Sequence, residues 1–288
     1  MDKNSGLLAK LHSSNILLYL FGISFVLYLL TKSVLFAFLS GASLIGTFVL
    51  DILVGAMAEG WKKEIIEVAK AFAVALILWF GVQLILGTSV PISGVVSCSL
   101  LPSYERGDFV IVQGIEPKDI SAQTVEISEQ ELESLLETKV GCGQNGPLTF
   151  SCQQMCPRIS SSTKEVIGYS PECVRSIIVN STLGGMNQVN ESLANDVIVY
   201  ATRINGTYIN MDIVHRVFLK LKVNDSYYIL TKGDNNNYMD VSYFDIVREQ
   251  DVKGKVIFRI PILGYVKLFI SGPQFYGEPE GCDTILLH

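Results

Sequence analysis

Apolar residues dominate the first third of the chain, and shorter apolar runs follow. Three long apolar stretches occupy about residues 14–31, 34–57 and 68–88, with few charges inside them. The hydrocarbon core of a bilayer is about 30 Å thick, and a helix needs about 17 to 25 apolar residues to cross it. The pattern therefore predicts three transmembrane helices within an anchor over residues 1–88. The alternatives are a buried helical hairpin in a soluble core or, for the first stretch alone, a cleaved signal peptide, although no small-residue cleavage site follows that stretch.

Beyond residue 89, short runs rich in Val, Ile, Tyr and Phe predict β-strands. The predicted strands are residues 109–112, 197–202, 213–221, 227–231 and 256–260. Gly-Asp and Asn-Gly pairs lie between them and are typical of turns. One segment, residues 128–137, favours a helix. The expected fold class is therefore a membrane-anchored, mainly β protein, in which an all-β domain at residues 89–271 precedes a C-terminal tail at residues 272–288.

The lysines near the apolar stretches indicate how the chain is oriented. Positive residues favour the cytoplasmic side of a membrane. The first loop contains Lys32, whereas the N-terminus and the second loop contain Lys3, Lys10, Lys62, Lys63 and Lys70. This asymmetry predicts a cytoplasmic N-terminus and, after three crossings, an extracytoplasmic β domain.

Sequons and cysteines agree with that orientation, because all of them lie beyond the third stretch. The N-glycosylation sequons are at Asn180, Asn190, Asn205 and Asn224. All six cysteines also lie there, as expected of a compartment that permits disulfides. The sequence therefore predicts an exported, glycosylated and disulfide-bonded domain.

Residues 118–194 differ in composition from the rest of the β domain. They are rich in Ser, Gly, Gln and Asn and hold two of the sequons together with Cys142, Cys152, Cys156 and Cys173. The cysteine spacing fits no pair of zinc-binding CxxC knuckles, so disulfides are favoured over a metal site, with the connectivity left open. We expect a cysteine-rich insertion that is stapled by disulfides and stands apart from the sheet.

Composition excludes one class of partner. The formal net charge is −6 and the isoelectric point is near 5.2. Nucleic-acid binding needs a basic face, so the sequence predicts no nucleic-acid partner. The mean hydropathy of +0.37 agrees with a membrane protein.

Candidate chemistry centres on one histidine. The three histidines are His12, on the predicted cytoplasmic side, His215, and the last residue, His288. His215 is therefore the candidate base of the exported domain, and the alternative is a histidine merely paired within a strand. Asp234 and Asp240 follow the next predicted strand, where a returning turn would bring an aspartate close to the imidazole. A serine nucleophile requires this combination, because a base removes its proton and a carboxylate orients the base.

Four ordered segments carry a resemblance to a known family. The segments "VSCSLLPSYERGDFVIV", "DVIVY" with "IVHRVF", "LTKGDNNNYMD" and "DVKGKVIFRIPILGYVKL" resemble, in this order, the boxes of type I signal peptidases. Bacterial members have lysine as the base. Because His215 stands in the corresponding box, the chain resembles the archaeal and endoplasmic-reticulum branch. The resemblance covers about residues 90–118 and 195–270.

The resemblance implies a role for each matching residue. Ser99 matches the nucleophile, His215 the general base, Asp240 the aspartate that orients it, and Asp234 a second acidic position. Ser97 matches the residue whose hydroxyl, with the Ser99 backbone N–H, forms the oxyanion hole. The implied function is a membrane-bound serine endopeptidase that removes signal peptides from exported preproteins without a cofactor.

Several positions depart from the family pattern. Cys98 stands where the family has glycine, Leu100 where it has methionine, and Leu101 where an acidic residue is common. Cys98 is either part of a disulfide or a rival nucleophile. The insertion and two of the N-terminal spans are also additions. Two other functions therefore stay open: a catalytically impaired accessory subunit and a disulfide-rich surface binding protein.

The implied partners are preprotein signal peptides, membrane lipid and the export channel. Apolar residues after the third span are expected to contact the lipid interface, namely Val90, Ile92, Val95 and Val96. The absence of a C-terminal span and the added N-terminal spans favour an archaeal cell membrane, with the endoplasmic-reticulum membrane as the alternative.

Overall fold

The computed structural model describes residues 3–31, 33–137, 142, 148–261, 264–265, 268 and 281–287. The chain forms two compact units. The helical unit comprises Met1–Ile85 and Tyr265–Glu278, and the β unit comprises Leu86–Gly264 and Pro279–His288. The domain division predicted at residue 89 stays a prediction, and most of the predicted tail at 272–288 lies outside the described residues.

The first unit contains four helices: α1 (Lys3–Ser13), α2 (Ile16–Thr31), α3 (Val34–Glu59) and α4 (Trp61–Leu86). Two of them, Leu35–Glu59 within α3 and the whole of α4, are long and apolar enough to cross a membrane, whereas α2 has 16 residues. No side chain of α4 is buried. A helix that is apolar all round and exposed is typical of lipid contact rather than of a soluble core. A third span at α2 stays a prediction.

The second loop of the predicted anchor is much shorter than expected. Gly60 alone separates α3 from α4, and it has a φ of 87°. The lysines assigned to that loop, Lys62 and Lys63, lie in the first turn of α4. The apolar pattern alone places the start of the third span at about residue 68, beyond these charges. The helix begins earlier because charged side chains are good helix formers outside the apolar segment.

The β unit contains two sheets. Its strands are β1 (Ile92–Gly94), β2 (Phe109–Gln113), β3 (Thr124–Glu126), β4 (Leu148–Ser160), β5 (Val166–Ser181), β6 (Gly185–Asn190), β7 (Val197–Ile204), β8 (Thr207–Val223), β9 (Ser226–Lys232), β10 (Val247–Arg248), β11 (Val252–Ile260) and β12 (Thr284–Leu286). The first sheet has the order β1-β2-β11-β7-β8-β9-β10, with β3 pairing parallel to β8. The second has the order β12-β4-β5-β6. All six neighbouring pairs along the order of the first sheet are antiparallel. The pairs of the second sheet are antiparallel too, so the mainly β expectation is confirmed.

All five predicted strands are present, as β2, β7, β8, β9 and β11. The hairpin between β7 and β8 turns at Asn205 and Gly206, whose φ values are 50° and 77°. Two positive φ values in succession are typical of the hairpin turns that match strand twist, and Asn-Gly is the preferred pair there. This turn directs β8, and with it His215, back beside β7.

Residues 118–194 do not stand apart from the sheets, contrary to our expectation. β3 joins the first sheet, and β4, β5 and β6 form most of the second. Ile177 and Val179 of β5 pack in one buried cluster with Leu219 and Leu221 of β8. Leu148 and Phe150 of β4, like Ile177 and Val179 of β5, are two residues apart and lie in this cluster, so one face of these strands is core despite the polar composition.

The predicted helix at residues 128–137 is confirmed as α5 (Glu129–Glu137). Ser128 and Glu131 form a reciprocal cap, in which the Ser128 N–H donates to Glu131 Oε2 at 2.7 Å and the Glu131 N–H donates to Ser128 Oγ at 3.3 Å. Leu132 and Leu135 join the buried cluster between the sheets. The helix is therefore part of the core.

Candidate active site

Ser99 lies on the loop between β1 and β2. The loop is closed at its base, where the Val95 N–H donates to Asp108 O and the Gly107 N–H donates to Val95 O, both at 2.9 Å. Leu100 beside the serine is buried, whereas Ser99 itself is partly exposed. Anchored apolar neighbours therefore hold the hydroxyl at the surface.

His215 of β8 connects Ser99 to Asp240. His215 Nε2 lies 2.8 Å from Ser99 Oγ, and His215 Nδ1 lies 2.7 Å from Asp240 Oδ2. The imidazole and the carboxylate are both buried. A carboxylate accepts only, so Nδ1 carries the proton and Nε2 is left to accept from the serine hydroxyl. This arrangement can draw the proton from Ser99 as the serine attacks an electrophile.

Two residues that the sequence did not single out surround Asp240. Tyr200 of β7 donates its hydroxyl to Asp240 Oδ2 at 2.8 Å, and Thr231 of β9 donates to the same oxygen at 2.7 Å. Burial, reinforced by the Asp240 charge, raises the pKa of Tyr200 well above its ordinary value, so its hydroxyl stays a donor. No local signal distinguishes these two residues, because their strands contain other polar side chains as well.

Asp234 does not contact His215. Its carboxylate instead accepts two hydrogen bonds from Arg216, from Nε and Nη2, both at 2.8 Å. Arg216 Nη2 also donates to Ser103 Oγ at 3.1 Å. Asp234 is therefore a buried ion-pair partner that ties the turn after β9 to β8 and to the serine loop.

Ser97 lies close to the candidate nucleophile. Its Oγ is 3.1 Å from Ser99 Oγ. A hydroxyl in this position can donate to an anionic oxygen that forms beside Ser99.

All six cysteines are paired, as Cys98–Cys282, Cys142–Cys152 and Cys156–Cys173. The two pairs within residues 118–194 join the four cysteines expected to bond there. Of the two alternatives for Cys98, the structure has the disulfide, so no free thiol stands beside Ser99 as a rival nucleophile. In the described part of the chain, no cluster of three or more His, Cys, Asp or Glu residues is placed to hold a metal ion.

The four sequon asparagines, Asn180, Asn190, Asn205 and Asn224, are all exposed on the β unit. Asn205 and Asn224 occupy hairpin turns with positive φ. Their exposure permits glycosylation, which stays a prediction.

Comparisons with known proteins match about a third of the chain. No family model matches the chain. The signal peptidase complex catalytic subunit SEC11 of Metarhizium robertsii is 36% identical over 93 residues, which are 31% of this chain and 52% of that protein. The corresponding subunit of Metarhizium acridum is 33% identical over 93 residues, with the same coverage. That of Candida tropicalis is 36% identical over 95 residues, 31% of this chain and 55% of that protein.

The chain thus spans about half the length of the curated relatives it matches. These relatives are fungal, and they give the expectation of an archaeal cell membrane no support. They do agree with the endoplasmic-reticulum branch suggested by His215. The resemblance of this chain to type I signal peptidases is confirmed, at modest identity and over about a third of its length.

Proposed function

We propose that the chain is a membrane-bound serine endopeptidase that removes N-terminal signal peptides from exported preproteins. The observation that carries the proposal is the continuous series of hydrogen bonds from Ser99 through His215 to Asp240. The relatives are named as catalytic subunits of a signal peptidase, which supports the same reaction.

The reaction proceeds in two halves. Ser99 Oγ attacks the scissile carbonyl while His215 Nε2 takes its proton, and Asp240 stabilises the imidazolium. His215 then protonates the leaving amine, which leaves an acyl-enzyme on Ser99. Water attacks this ester with His215 again as the base, and the free serine is regenerated.

The oxyanion of each tetrahedral intermediate forms beside Ser99. We assign the Ser97 hydroxyl and the Ser99 backbone N–H as its donors. One such donor contributes about 3 to 4 kcal/mol to stabilising the transition state. The substrate is an extended peptide that adds as a strand beside the site.

The membrane setting belongs to the same proposal. The helices α3 and α4, with α2 as a third span, anchor the chain with a cytoplasmic N-terminus and an extracytoplasmic β unit in the endoplasmic-reticulum membrane. The partners are preprotein signal peptides, membrane lipid and the export channel. The word "complex" in the relatives' names adds partner subunits to this list.

Cleavage of a model preprotein by the purified full chain tests the proposal. We expect the wild-type chain to cleave, Ser99→Ala to be inactive, and the control Ser162→Ala, an exposed serine in the β4–β5 turn, to cleave normally. Cleavage by Ser99→Ala would contradict the serine mechanism. A folded wild-type chain that does not cleave would favour the impaired accessory subunit.

A further inference from the structure

The residue before the candidate nucleophile is covalently linked to the far end of the chain. Cys98 and Cys282 form a disulfide across a sequence separation of 184 residues. Cys282 precedes β12, which pairs antiparallel with β4 of the second sheet. Leu101 and Ile285 pack against the disulfide in a small buried cluster. The serine loop is therefore attached to the second sheet.

Asn235 makes a second attachment between the same two segments. Its backbone N–H donates to Ser99 O at 2.7 Å. Its side-chain amide donates to Cys98 O at 3.1 Å and to Thr284 O at 3.0 Å. Its Oδ1 accepts from the Leu286 N–H at 2.7 Å. One buried side chain thus joins the carbonyl before Ser99 to both ends of β12.

The second sheet supports Asn235 through an arginine. Arg158 of β4 donates to Asn235 Oδ1 at 3.1 Å and to Asn237 Oδ1 at 2.9 Å. The turn that follows β9 is thereby attached to β4 as well as to the serine loop. The carbonyls of Cys98 and Ser99 are therefore held through Asn235, which Arg158 connects to the second sheet.

We propose that the C-terminal segment 282–287 positions the nucleophile, acting through the Cys98–Cys282 disulfide and Asn235. These are positioning residues, because none of their side chains is placed to touch the reacting atoms. The reason is geometric: Ser99 Oγ must stay within hydrogen-bond reach of His215 Nε2, and a misplacement of about 1 Å can cost about 100-fold in rate. The expected effect on kcat rests on the proposed function.

The test compares two disulfide deletions in the full chain. Cys98→Ala/Cys282→Ala removes the attachment, and the control Cys142→Ala/Cys152→Ala removes a disulfide that does not pack against segment 282–287. We expect the first variant to lose about tenfold or more in kcat with little change in KM, while the control keeps kcat within about twofold. Hydrogen exchange should be faster at the Leu101 and Tyr104 amides in the first variant only.

Asn235→Asp provides a second variant, because it keeps the Oδ1 acceptor and removes the donor to Cys98 O. It should lower kcat in the same way. Wild-type kcat and unchanged amide protection in a folded Cys98→Ala/Cys282→Ala chain would overturn the proposal, as would an equal kcat loss in the control. If the wild-type chain cleaves no preprotein, the proposed function fails, and the exchange comparison still decides whether segment 282–287 holds the loop.

Discussion

Asp240 and Asp234 are both buried, but their charges are compensated in different ways. Asp240 accepts hydrogen bonds from His215, Tyr200 and Thr231 on one oxygen. Asp234 is held by the guanidinium of Arg216. A buried carboxylate needs either hydrogen-bond donors or an opposite charge, because burying an unpaired charge is costly. The two aspartates therefore differ in what their removal should affect.

Replacing each aspartate by asparagine separates these roles. Asp240→Asn should lower kcat by about 10⁴-fold, because an amide no longer fixes the productive imidazole tautomer. Asp234→Asn leaves the Arg216 side chain, which is 11% exposed, without its counter-charge and should destabilise the fold by about 3 kcal/mol, with a smaller effect on kcat per folded molecule. Preprotein cleavage and chemical unfolding measure the two effects. If Asp234→Asn removed activity in a stable protein and Asp240→Asn did not, the assignments would be exchanged.

Tyr200→Phe tests the hydrogen bond that the Tyr200 hydroxyl donates to Asp240. Losing a hydrogen bond to a charged group should cost about 1.5 to 3 kcal/mol of stability near neutral pH and lower kcat. Because burial raises the pKa of Tyr200, its contribution is fully present below about pH 10, the ordinary tyrosine pKa, and is lost as the pH rises further. The stability difference between wild type and Tyr200→Phe should therefore shrink above about pH 10. Tyr243→Phe, an exposed tyrosine, is the control, and an equal pH dependence in both variants would contradict the argument.

At the scale of elements, α5 illustrates how a local signal leads to core packing. The pair Ser128 and Glu131 satisfies backbone donors at the first turn, and the helix then presents Leu132 and Leu135 to the cluster between the sheets. Capping determines where the helix begins, and burial of the leucines supplies most of its stability.

Ser128→Ala should destabilise the β unit by about 1 kcal/mol, because an N-cap serine is replaced by a residue that cannot accept the Glu131 N–H. Gln130→Ala, at an exposed position of the same helix, should change stability by less than about 0.5 kcal/mol. Thermal unfolding of both variants measures the difference. Equal melting temperatures for the two would show that the cap contributes nothing.

At the scale of the whole molecule, the helical unit and the β unit differ in what they expose. Apolar side chains of α4 are open to the surroundings, whereas the β unit has buried clusters of its own and three disulfides. An apolar exposed helix needs lipid, and disulfides need an oxidising compartment. These features are the ones expected if, as we propose, the chain is anchored in a membrane with its β unit on the extracytoplasmic side.

Single cysteines test this topology, because every native cysteine is already paired. In sealed endoplasmic-reticulum vesicles, an impermeant thiol reagent should label Lys62→Cys directly. Met186→Cys, at a position that is 79% exposed, should be labelled only after the vesicles are permeabilised. If Met186→Cys were labelled in intact vesicles and Lys62→Cys were protected, the predicted orientation would be wrong.

Local pattern alone determined a large part of this protein. Short runs rich in Val, Ile, Tyr and Phe predicted β2, β7, β8, β9 and β11, and pairs such as Asn205-Gly206 marked the breaks between strands, because these features depend on neighbours within a few residues. The ordered motifs also selected Ser99, His215 and Asp240 as candidates, which the structure brings within hydrogen-bond distance.

Tertiary structure decided what depends on residues far apart in the chain. Composition suggested a separate insertion at residues 118–194, but the inner face of those strands is core only because the first sheet covers it. The pairing of Cys98 with Cys282, the supporting role of Tyr200 and the ion pair of Asp234 likewise join distant segments. A local sequence pattern does not determine such contacts, because strand pairing and packing across the whole domain determine which side chains meet.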